Sequence, residues 1–362
     1  MKFVNTVEVY WHNQHVGKIA LTPEGLCAFE YNAEFLQNGF SISPLELPLR
    51  SGVFIAKPQP FNGNFGVFDD CLPDGWGMII LERYLQKLGI QPRKLSILDK
   101  LSLVGSSGRG ALEFKPDQSY FDSTKNTDFD IMTTEARQIL SSATYSGIGV
   151  EQLYMQGGSP GGARPKVFIT AENKEWLVKF RALNDPEDIG EIEYHHSLLA
   201  QKCGIEMPET RLFEGKYFGV VRFDRTASEK IHVVSVAGLL NADYRTPCMD
   251  YYAIFQLCGI LTHNLHEMWK LYRLMVFNFL IGNKDDHAKN FAFMYHNKEW
   301  KLSPAFDLLP SDGINGYHTT TINDKIEPTH SDIIAVAIKA GLDKAQAESI
   351  FESIYSMIVK EK

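Results

Sequence analysis

Three oxygen-bearing side chains in the stretch Ile281–Pro310 constrain this 362-residue chain more than any other feature. Asp285 and Asn290 lie five positions apart, and Asp307 follows seventeen positions after the asparagine. Phosphoryl transfer needs a carboxylate that orients or deprotonates the attacking hydroxyl, and oxygen ligands that hold Mg²⁺ against the phosphates. An Asp, an Asn five residues later and an Asp beyond a strand pair supply these groups in protein kinases. The spacing therefore predicts a kinase-type Mg–ATP site.

A hairpin between Asn290 and Asp307 is expected to bring these two side chains together. The segments Phe291–Tyr295 and Trp300–Leu302 have the composition of strands, and a polar turn at 296–298 separates them. Each Asp taken singly is more often a loop residue or a helix cap. The joint spacing, together with the sequence upstream, favours the metal site over that alternative.

A glycine-rich segment, GGSPGGARPK at Gly157–Lys166, leads into the predicted strands Val167–Thr170 and Glu175–Phe180. Glycine allows a backbone to approach phosphates closely, and lysine adds positive charge. The segment matches neither G-x-x-x-x-G-K-[ST] nor G-x-G-x-x-G. Taken alone, it is therefore equally consistent with a phosphate-binding loop and with a flexible hairpin tip.

Lys179, near the end of the second of these strands, is the candidate for the lysine that binds the α- and β-phosphates. The alternative is a solvated lysine at a sheet edge. A helix is predicted to begin after Asp188 and Gly190, and its Glu193 is the first choice for the partner of Lys179. Glu191 is the competing choice.

The strand Tyr217–Phe223 occupies, by order along the chain, the place before the hinge whose backbone meets adenine in a bilobal kinase. Val221 and Phe223 are therefore candidate nucleotide contacts. From about Asp224 the pattern becomes helical, with apolar residues at helical spacing in Tyr251–Leu257 and His266–Ile281.

The N-terminal region reads as a β-rich module. Strands are predicted at Thr6–Trp11, Val16–Leu21 and Leu26–Tyr31. A helix is predicted after Asp74, its N-cap, and is expected to stop at Gly89.

Composition excludes several classes of function. The formal net charge of −8 disfavours sequence-independent binding to nucleic acid. The five cysteines form no C-x-x-C pair, so neither a disulfide framework nor a zinc site is indicated. The N-terminus lacks the apolar core of a signal peptide, and Leu274–Ile281 is too short to span a bilayer. We therefore expect a cytoplasmic protein without membrane contact.

Seven strings, spread over nearly the whole chain, occur in an order that is typical of one family. They are LPDGWG at 72–77, SPGGARPK at 159–166, VKF at 178–180, EYHHSLLA at 193–200, RFDR at 222–225, IGNKDDHAKNF at 281–291 and PAFDL at 304–308. By these strings the chain resembles the HipA family, the serine/threonine kinase toxins of bacterial toxin–antitoxin systems.

The resemblance implies an α+β fold, in which a bilobal protein-kinase-like core follows an N-terminal β-rich subdomain and ends in an all-helical C-terminal lobe. We expect the subdomain at 1–115, the kinase N-lobe with the glycine-rich loop and the ATP lysine at 116–223, and the helical C-lobe with the catalytic and metal-binding loops at 224–362.

The resemblance also implies roles for single residues. Asp285 resembles the catalytic aspartate, Asn290 and Asp307 resemble the magnesium ligands, and Ser159 resembles a serine that undergoes autophosphorylation. Asp286 stands where the family usually has glycine, so either neighbouring carboxylate is a candidate for the catalytic role. The candidate nucleotide contacts are Ser159, Gly161, Gly162, Ala163, Lys179, Glu193, Val221, Phe223, His287 and Lys289.

The implied activity is transfer of the γ-phosphoryl group of ATP, with Mg²⁺, to a Ser or Thr hydroxyl of a protein. The resemblance suggests an aminoacyl-tRNA synthetase as the target and a helix-turn-helix antitoxin of the HipB type as a partner, with DNA contacted only through that antitoxin. Two alternatives stay open: a kinase of small molecules or lipids, and a catalytically silent co-repressor that holds a DNA-binding antitoxin. A metal hydrolase built on Asp285, Asp286 and His287 is disfavoured, since no second cluster of His or Asp at ligand spacing accompanies them.

Overall fold

The computed structural model describes residues 2–123, 128–142, 145, 147, 149–157, 162–313 and 315–361. The chain forms two units. The first runs to Glu191 and also includes Thr210–His232, and the second comprises Ile192–Glu209 and the chain from Val233 onward. The expected boundary near residue 115 falls inside the first unit and stays a prediction. Within the described ranges, no helix is both long and apolar enough to cross a membrane.

An antiparallel five-stranded sheet begins the first unit, in the order β4-β3-β2-β1-β5. Its strands are β1 (Thr6–Trp11), β2 (Gln14–Leu21), β3 (Cys27–Tyr31), β4 (Val53–Ile55) and β5 (Leu112–Lys115). The turn between β1 and β2 uses His12 and Asn13, both at positive φ (46° and 64°), which matches the right-handed strand twist. The predicted β-rich start of the chain is therefore confirmed.

A second antiparallel sheet of the first unit has the order β6-β7-β9-β8. Its strands are β6 (Lys166–Ala171), β7 (Lys174–Lys179), β8 (Thr210–Phe213) and β9 (Tyr217–Val221). The helices of this unit are α1 (Phe35–Asn38), α2 (Gly66–Asp69), α3 (Gly75–Lys87), α4 (Ile97–Val104), α5 (Phe129–Ser141) and α6 (Gly149–Gly157).

Helices α3, α5 and α6 bury one apolar core together with the second sheet. Trp76 of α3, Met132 of α5 and Leu153 of α6 belong to the same buried cluster as Trp176 and Val178 of β7. The core thereby fixes the start of α3 near the strand that carries Lys179. The helix α3 ends at Lys87, close to the expected stop at Gly89, and Leu88 beyond its end is 53% exposed.

The second unit holds the remaining elements. They are α7 (Ile189–Lys202, which begins in the first unit), β10 (His232–Ser235), α8 (Val236–Leu240), β11 (Met249–Asp250), α9 (Tyr251–Thr262), α10 (Leu265–Ile281), β12 (Ala292–His296), β13 (Glu299–Leu302), β14 (Thr320–Thr321), α11 (His330–Lys339) and α12 (Lys344–Glu361).

The expectation of an all-helical C-terminal lobe is not confirmed. The strands β10, β12 and β13 form a three-stranded sheet, and β11 pairs in parallel with β14. The predicted hairpin is confirmed: β12 and β13 are antiparallel around Asn297 and Lys298, which both have positive φ. Short strands paired with distant partners give little local signal, which explains why β10, β11 and β14 were missed.

A buried ion cluster closes the RFDR segment onto residues 108–110 within the first unit. Arg222 donates two hydrogen bonds to Asp224 (2.9 and 2.8 Å), and Arg225 donates a third (3.0 Å). The Gly110 N–H donates to the same carboxylate (2.8 Å), and both arginines donate to the Gly108 carbonyl (3.3 and 2.9 Å). Burial raises the pKa of Asp224, but the two guanidinium charges outweigh it, so the pKa lies below its usual range.

We predict that Asp224→Asn destabilises the protein at pH 7 by about 3–5 kcal/mol, because two buried guanidinium groups lose their buried counter-charge and keep only the half-buried Glu175 (3.2 and 3.9 Å). A folded-state pKa below the unfolded value contributes stability above the unfolded pKa, near 4, and that stability is lost as pH falls. The difference in unfolding free energy between wild type and variant should therefore shrink below about pH 4. Urea unfolding at several pH values measures it.

The matched control is Glu172→Gln, which removes an exposed ion pair of the same unit with Arg211 (2.6 Å). Solvent screens such an exposed pair, so the melting temperature of Glu172→Gln should stay near that of wild type. Equal effects of the two variants would contradict the assigned role of the buried cluster.

Candidate active site

The loop after α10, which we call the catalytic loop (Asn283–Asn290), carries the predicted Asp285. Gly282 ends α10 in a left-handed conformation (φ 73°), as helix C-caps commonly do. The Asp285 N–H donates to the Ser311 hydroxyl (2.8 Å), and its carbonyl accepts from the Asn290 side-chain amide (2.7 Å). The Asp285 side chain itself is 63% exposed. An accessible carboxylate thus stands on a backbone that is hydrogen-bonded on both sides.

The orientation of Asn290 suits a cation ligand. Because its Nδ2 donates to the Asp285 carbonyl, the amide oxygen Oδ1 is the atom that it can offer to a metal ion. Mg²⁺ prefers oxygen ligands and is usually held by one or two protein oxygens, together with waters and substrate phosphates. Within the described ranges, no group of three or more His, Cys, Asp or Glu side chains is placed to hold a metal ion.

Asp307 lies directly beside the catalytic loop. Its carbonyl accepts a hydrogen bond from the buried Asn283 side chain (3.2 Å), and its backbone is left-handed (φ 55°). The hairpin β12–β13 thus leads back to the loop that carries Asp285, and the predicted closeness of the Asn290 and Asp307 side chains stays a prediction. Asn290 and Asp307 provide one amide and one carboxylate, a donor set that fits Mg²⁺ completed by phosphate and water.

His287 and Lys289 shape the catalytic loop from within. The His287 Nδ1 accepts from the Lys289 N–H (3.2 Å) and caps the 3₁₀ turn Ala288–Asn290, while its Nε2 lies 3.9 Å from Asp285 Oδ1. The Lys289 ammonium lies 4.2 Å from the ring centroid of Tyr244. A cation over an aromatic face is attracted by the ring quadrupole, so Tyr244 helps to hold the loop. Sequence reasoning did not single out Tyr244.

The two adjacent aspartates have opposite environments. Asp286 is buried, with 1% exposure for the whole residue, whereas Asp285 is exposed. The carboxylate that can meet a substrate hydroxyl is therefore that of Asp285. The sequence had left this choice open.

Lys179, in the first unit, is buried at the end of β7 (8% exposed) and lies opposite the buried Lys166 of β6 (3% exposed). Directly opposite residues of antiparallel strands have Cβ atoms about 4.5–5.5 Å apart on one face of the sheet. Two buried lysine side chains thus start side by side on one face of the sheet. The Lys166 ammonium also lies beside Gly162, since a Cβ added there would be 2.8 Å from Nζ. Sequence reasoning counted Lys166 as positive charge in the glycine-rich segment but did not place it opposite Lys179.

The end of the glycine-rich segment is held by the LPDGWG string of the same unit. Asp74 occupies the predicted N-cap position of α3, but its carboxylate accepts a 2.6 Å hydrogen bond from the Gly162 N–H. The Trp76 N–H donates to the Gly162 carbonyl (3.0 Å). Gly75, at positive φ (44°), lies so close that a Cβ would be 2.5 Å from that carbonyl. Ala163 follows directly, whereas Ser159 and Gly161 lie outside the described residues.

The remaining nucleotide candidates keep the status of predictions. Glu193 of α7 is buried whereas Glu191 is exposed, which suits the choice of Glu193. Lys179 belongs to the first unit and Glu193 to the second, and their pairing stays a prediction. Val221 ends β9, and Phe223 follows it half-buried; their contact with adenine also stays a prediction.

Comparison with known proteins shows which class of protein this chain resembles. "Putative kinase Y4dM" of Sinorhizobium fredii is 25% identical over 348 residues, covering 89% of this chain and 81% of that protein. "Serine/threonine-protein kinase toxin HipA" of Shewanella oneidensis is 21% identical over 379 residues, covering 93% of this chain and 83% of that protein. The class is therefore that of kinase-like proteins.

Two family models match the chain: the HipA N-terminal domain over residues 7–115 and the HipA-like C-terminal domain over residues 158–361. The second match spans more than half of the chain, and the protein belongs to the HipA family. A solved chain of the Shewanella oneidensis MR-1 complex of HipA, HipB and operator DNA matches with a TM-score of 0.70 at 18% identity, covering 98% of this chain and 91% of that chain. At this identity the likeness shows the fold.

We predict that Gly75→Ala loosens the glycine-rich segment. The left-handed backbone alone costs a residue with a Cβ about 1–2 kcal/mol, and the contact with the Gly162 carbonyl adds to this. Gly89→Ala is the matched control, because Gly89 also has positive φ (73°) but has open space around its Cβ position. Gly75→Ala should lower the melting temperature more than Gly89→Ala, and it alone should weaken binding of a non-hydrolysable ATP analogue. Indistinguishable variants would contradict the role of this contact.

Proposed function

We propose that this protein is an ATP-dependent kinase that transfers the γ-phosphoryl group to a Ser or Thr hydroxyl of a protein. The observation that carries the proposal is the catalytic loop, where an exposed Asp285 carboxylate stands on a backbone held by Asn290 and Ser311. Asn290 uses its nitrogen for that support, so its oxygen is left for Mg²⁺. Membership of the HipA family supports the same reaction.

Each group has a role in this proposal. Asp285 accepts the proton of the acceptor hydroxyl or orients that hydroxyl for attack. Asn290 and Asp307 hold Mg²⁺, and Lys179 and Lys166 bind phosphate oxygens. When bound, ATP would supply the γ-phosphoryl group and leave as ADP, and Mg²⁺ would neutralise the negative charge on the phosphates. The other contacts proposed for ATP are Ser159, Gly161, Gly162, Ala163, Glu193, Val221, Phe223, His287 and Lys289.

The biological setting that we propose is a toxin of a toxin–antitoxin system, with a helix-turn-helix antitoxin of the HipB type as partner. The support is the family and the relative named serine/threonine-protein kinase toxin HipA. DNA would be contacted only through the antitoxin, in agreement with the acidic net charge of −8. An aminoacyl-tRNA synthetase is the protein acceptor that we propose to test first. As part of the same proposal, the N-terminal subdomain ends at residue 115 and the kinase N-lobe ends at residue 223.

Two alternative functions differ from this proposal in which molecules receive labelled phosphate from ATP. A kinase of small molecules or lipids would use the same catalytic loop and would label metabolites instead of proteins. A catalytically silent co-repressor would bind ATP without turnover. The exposure of Asp285, together with the fixed backbone around it, favours an active enzyme.

We predict that Asp307→Asn abolishes transfer of labelled γ-phosphate while the protein stays folded. Asparagine tolerates the left-handed backbone at this position (φ 55°), so the variant removes the carboxylate charge alone. The matched control is Asp312→Asn, since Asp312 is an exposed aspartate shortly after Asp307 in the chain. This variant should retain activity. Labelling of lysate proteins and of a metabolite extract is compared for wild type and both variants. Near-wild-type turnover of Asp307→Asn would refute the metal assignment.

We predict a self-inactivating phosphorylation of Ser159. A hydroxyl in a glycine-rich segment near the γ-phosphate is itself an acceptor, and a phosphoserine there would carry about −1.5 to −2 charge and repel ATP. Intact-mass measurement after incubation with Mg–ATP should show one added phosphate in wild type and none in Ser159→Ala or Asp285→Asn. An active enzyme that stays unmodified at Ser159 would refute this prediction.

A further inference from the structure

Asp286 lies next to the proposed catalytic residue Asp285, but its own carboxylate is hydrogen-bonded at both oxygens within the protein. Its Oδ1 accepts from the N–H groups of Thr319 (3.0 Å) and Thr320 (3.1 Å). Its Oδ2 accepts from the Tyr251 hydroxyl (3.1 Å) and lies 3.0 Å from the His318 Nδ1. Four partners match the four acceptor positions of a carboxylate, so this group is committed to the protein itself.

The neighbours of Asp285 are both tied to one segment, His318–Thr321, which we call the threonine segment. The Lys284 carbonyl accepts from the N–H and from the hydroxyl of Thr319 (3.0 Å each). The Asp286 carbonyl accepts from the Thr320 hydroxyl. Asp285 thus lies between two residues whose backbones are fixed by the threonine segment. Their positions in space determine that of the Asp285 backbone.

A buried chain of hydrogen bonds leads from Asp286 to the backbone carbonyl of Asp307. The Tyr251 hydroxyl, which donates to Asp286, accepts from the Asn278 Nδ2 (3.1 Å). Asn278 Oδ1 accepts from the Asn283 Nδ2 (3.0 Å), and the same Nδ2 donates to the Asp307 carbonyl (3.2 Å). Burial and the Asp286 charge raise the pKa of Tyr251 well above its usual value, so the phenol keeps its proton. Fully satisfied buried networks of this kind rigidify the groups that they connect.

The threonine segment is anchored by its own side chains. Thr319 and Thr320 are 4% and 0% exposed, and the Thr321 hydroxyl donates to Asp250 at the start of α9 (2.7 Å). The threonine segment comes after Asp307, the proposed magnesium ligand. In protein kinases the activation loop has the corresponding place in the chain, and phosphorylation often orders it. Here buried hydroxyls and one carboxylate supply the anchors.

We propose that Asp286 is a positioning residue: its buried carboxylate fixes the threonine segment against the catalytic loop and thereby places Asp285 and Asp307 for the reaction. The inference rests on the proposed kinase function for its kinetic consequence. The structural part, the docking of the threonine segment by Asp286, stands on its own and is measured separately.

Two adjacent isosteric variants test the proposal, Asp286→Asn and Asp285→Asn. Asp286→Asn keeps one acceptor oxygen and turns the other into a donor group that faces Tyr251 and His318. Hydrogen–deuterium exchange of the Thr319 and Thr320 amides should become at least about tenfold faster in Asp286→Asn. It should stay within about twofold of wild type in Asp285→Asn, whose side chain is exposed.

Kinetics provide the second readout. Asp286→Asn should lower kcat by on the order of 10²-fold, the cost of a small misplacement of reacting groups, with the KM for ATP nearly unchanged. Asp285→Asn should abolish transfer with wild-type exchange in the threonine segment. Tyr251→Phe, which removes one of the four partners, should show smaller changes in the same direction and remains informative if Asp286→Asn fails to fold.

Two results would overturn the proposal: unchanged exchange of the threonine segment in both Asp286→Asn and Tyr251→Phe, or a lowered melting temperature with unchanged kcat. A wild-type protein that transfers phosphate to no acceptor would refute the proposed function instead, while the exchange measurement would still decide the role of Asp286.

Discussion

A carboxylate withdrawn from water must have its oxygens hydrogen-bonded or paired with cations, and this requirement organises both units. In the first unit, Asp224 collects two arginines and the Gly110 N–H. In the second, Asp286 collects two backbone amides, a phenol and an imidazole. An unsatisfied charge at either position would be costly, so each carboxylate holds together segments that lie far apart in the sequence. The backbone on either side of Asp285 is held by the contacts of Asp286 and of the threonine segment.

The strings by which the chain resembles the family combine exposed positions of the proposed chemistry with buried supports. Asp285 is accessible because its neighbours Lys284 and Asp286 take the contacts that fix the loop. At the glycine-rich segment, Asp74 and Trp76 bind the two backbone polar groups of Gly162. An exposed group that is proposed to act in catalysis must be placed by the residues around it, because positioning within a fraction of an ångström is what such chemistry requires.

Local patterns predicted the elements whose partners are close in sequence. The strands β1, β7, β12 and β13 pair across short turns, and their alternation was readable. The strands β10, β11 and β14 pair with distant segments and were missed, so the expected all-helical C-terminal lobe was not confirmed. The helix α6 was also missed.

The sequence by itself determined the family strings, the spacing of Asp285, Asn290 and Asp307, and the hairpin that returns Asp307 to the catalytic loop. These follow from chain distance and local propensity, which are properties of neighbouring residues. Only the tertiary structure decided which of two adjacent aspartates is exposed and that Asp74 binds Gly162. The reason is physical: burial and hydrogen-bond partners are set by segments tens to hundreds of residues away, and identical side chains side by side acquire opposite roles from them.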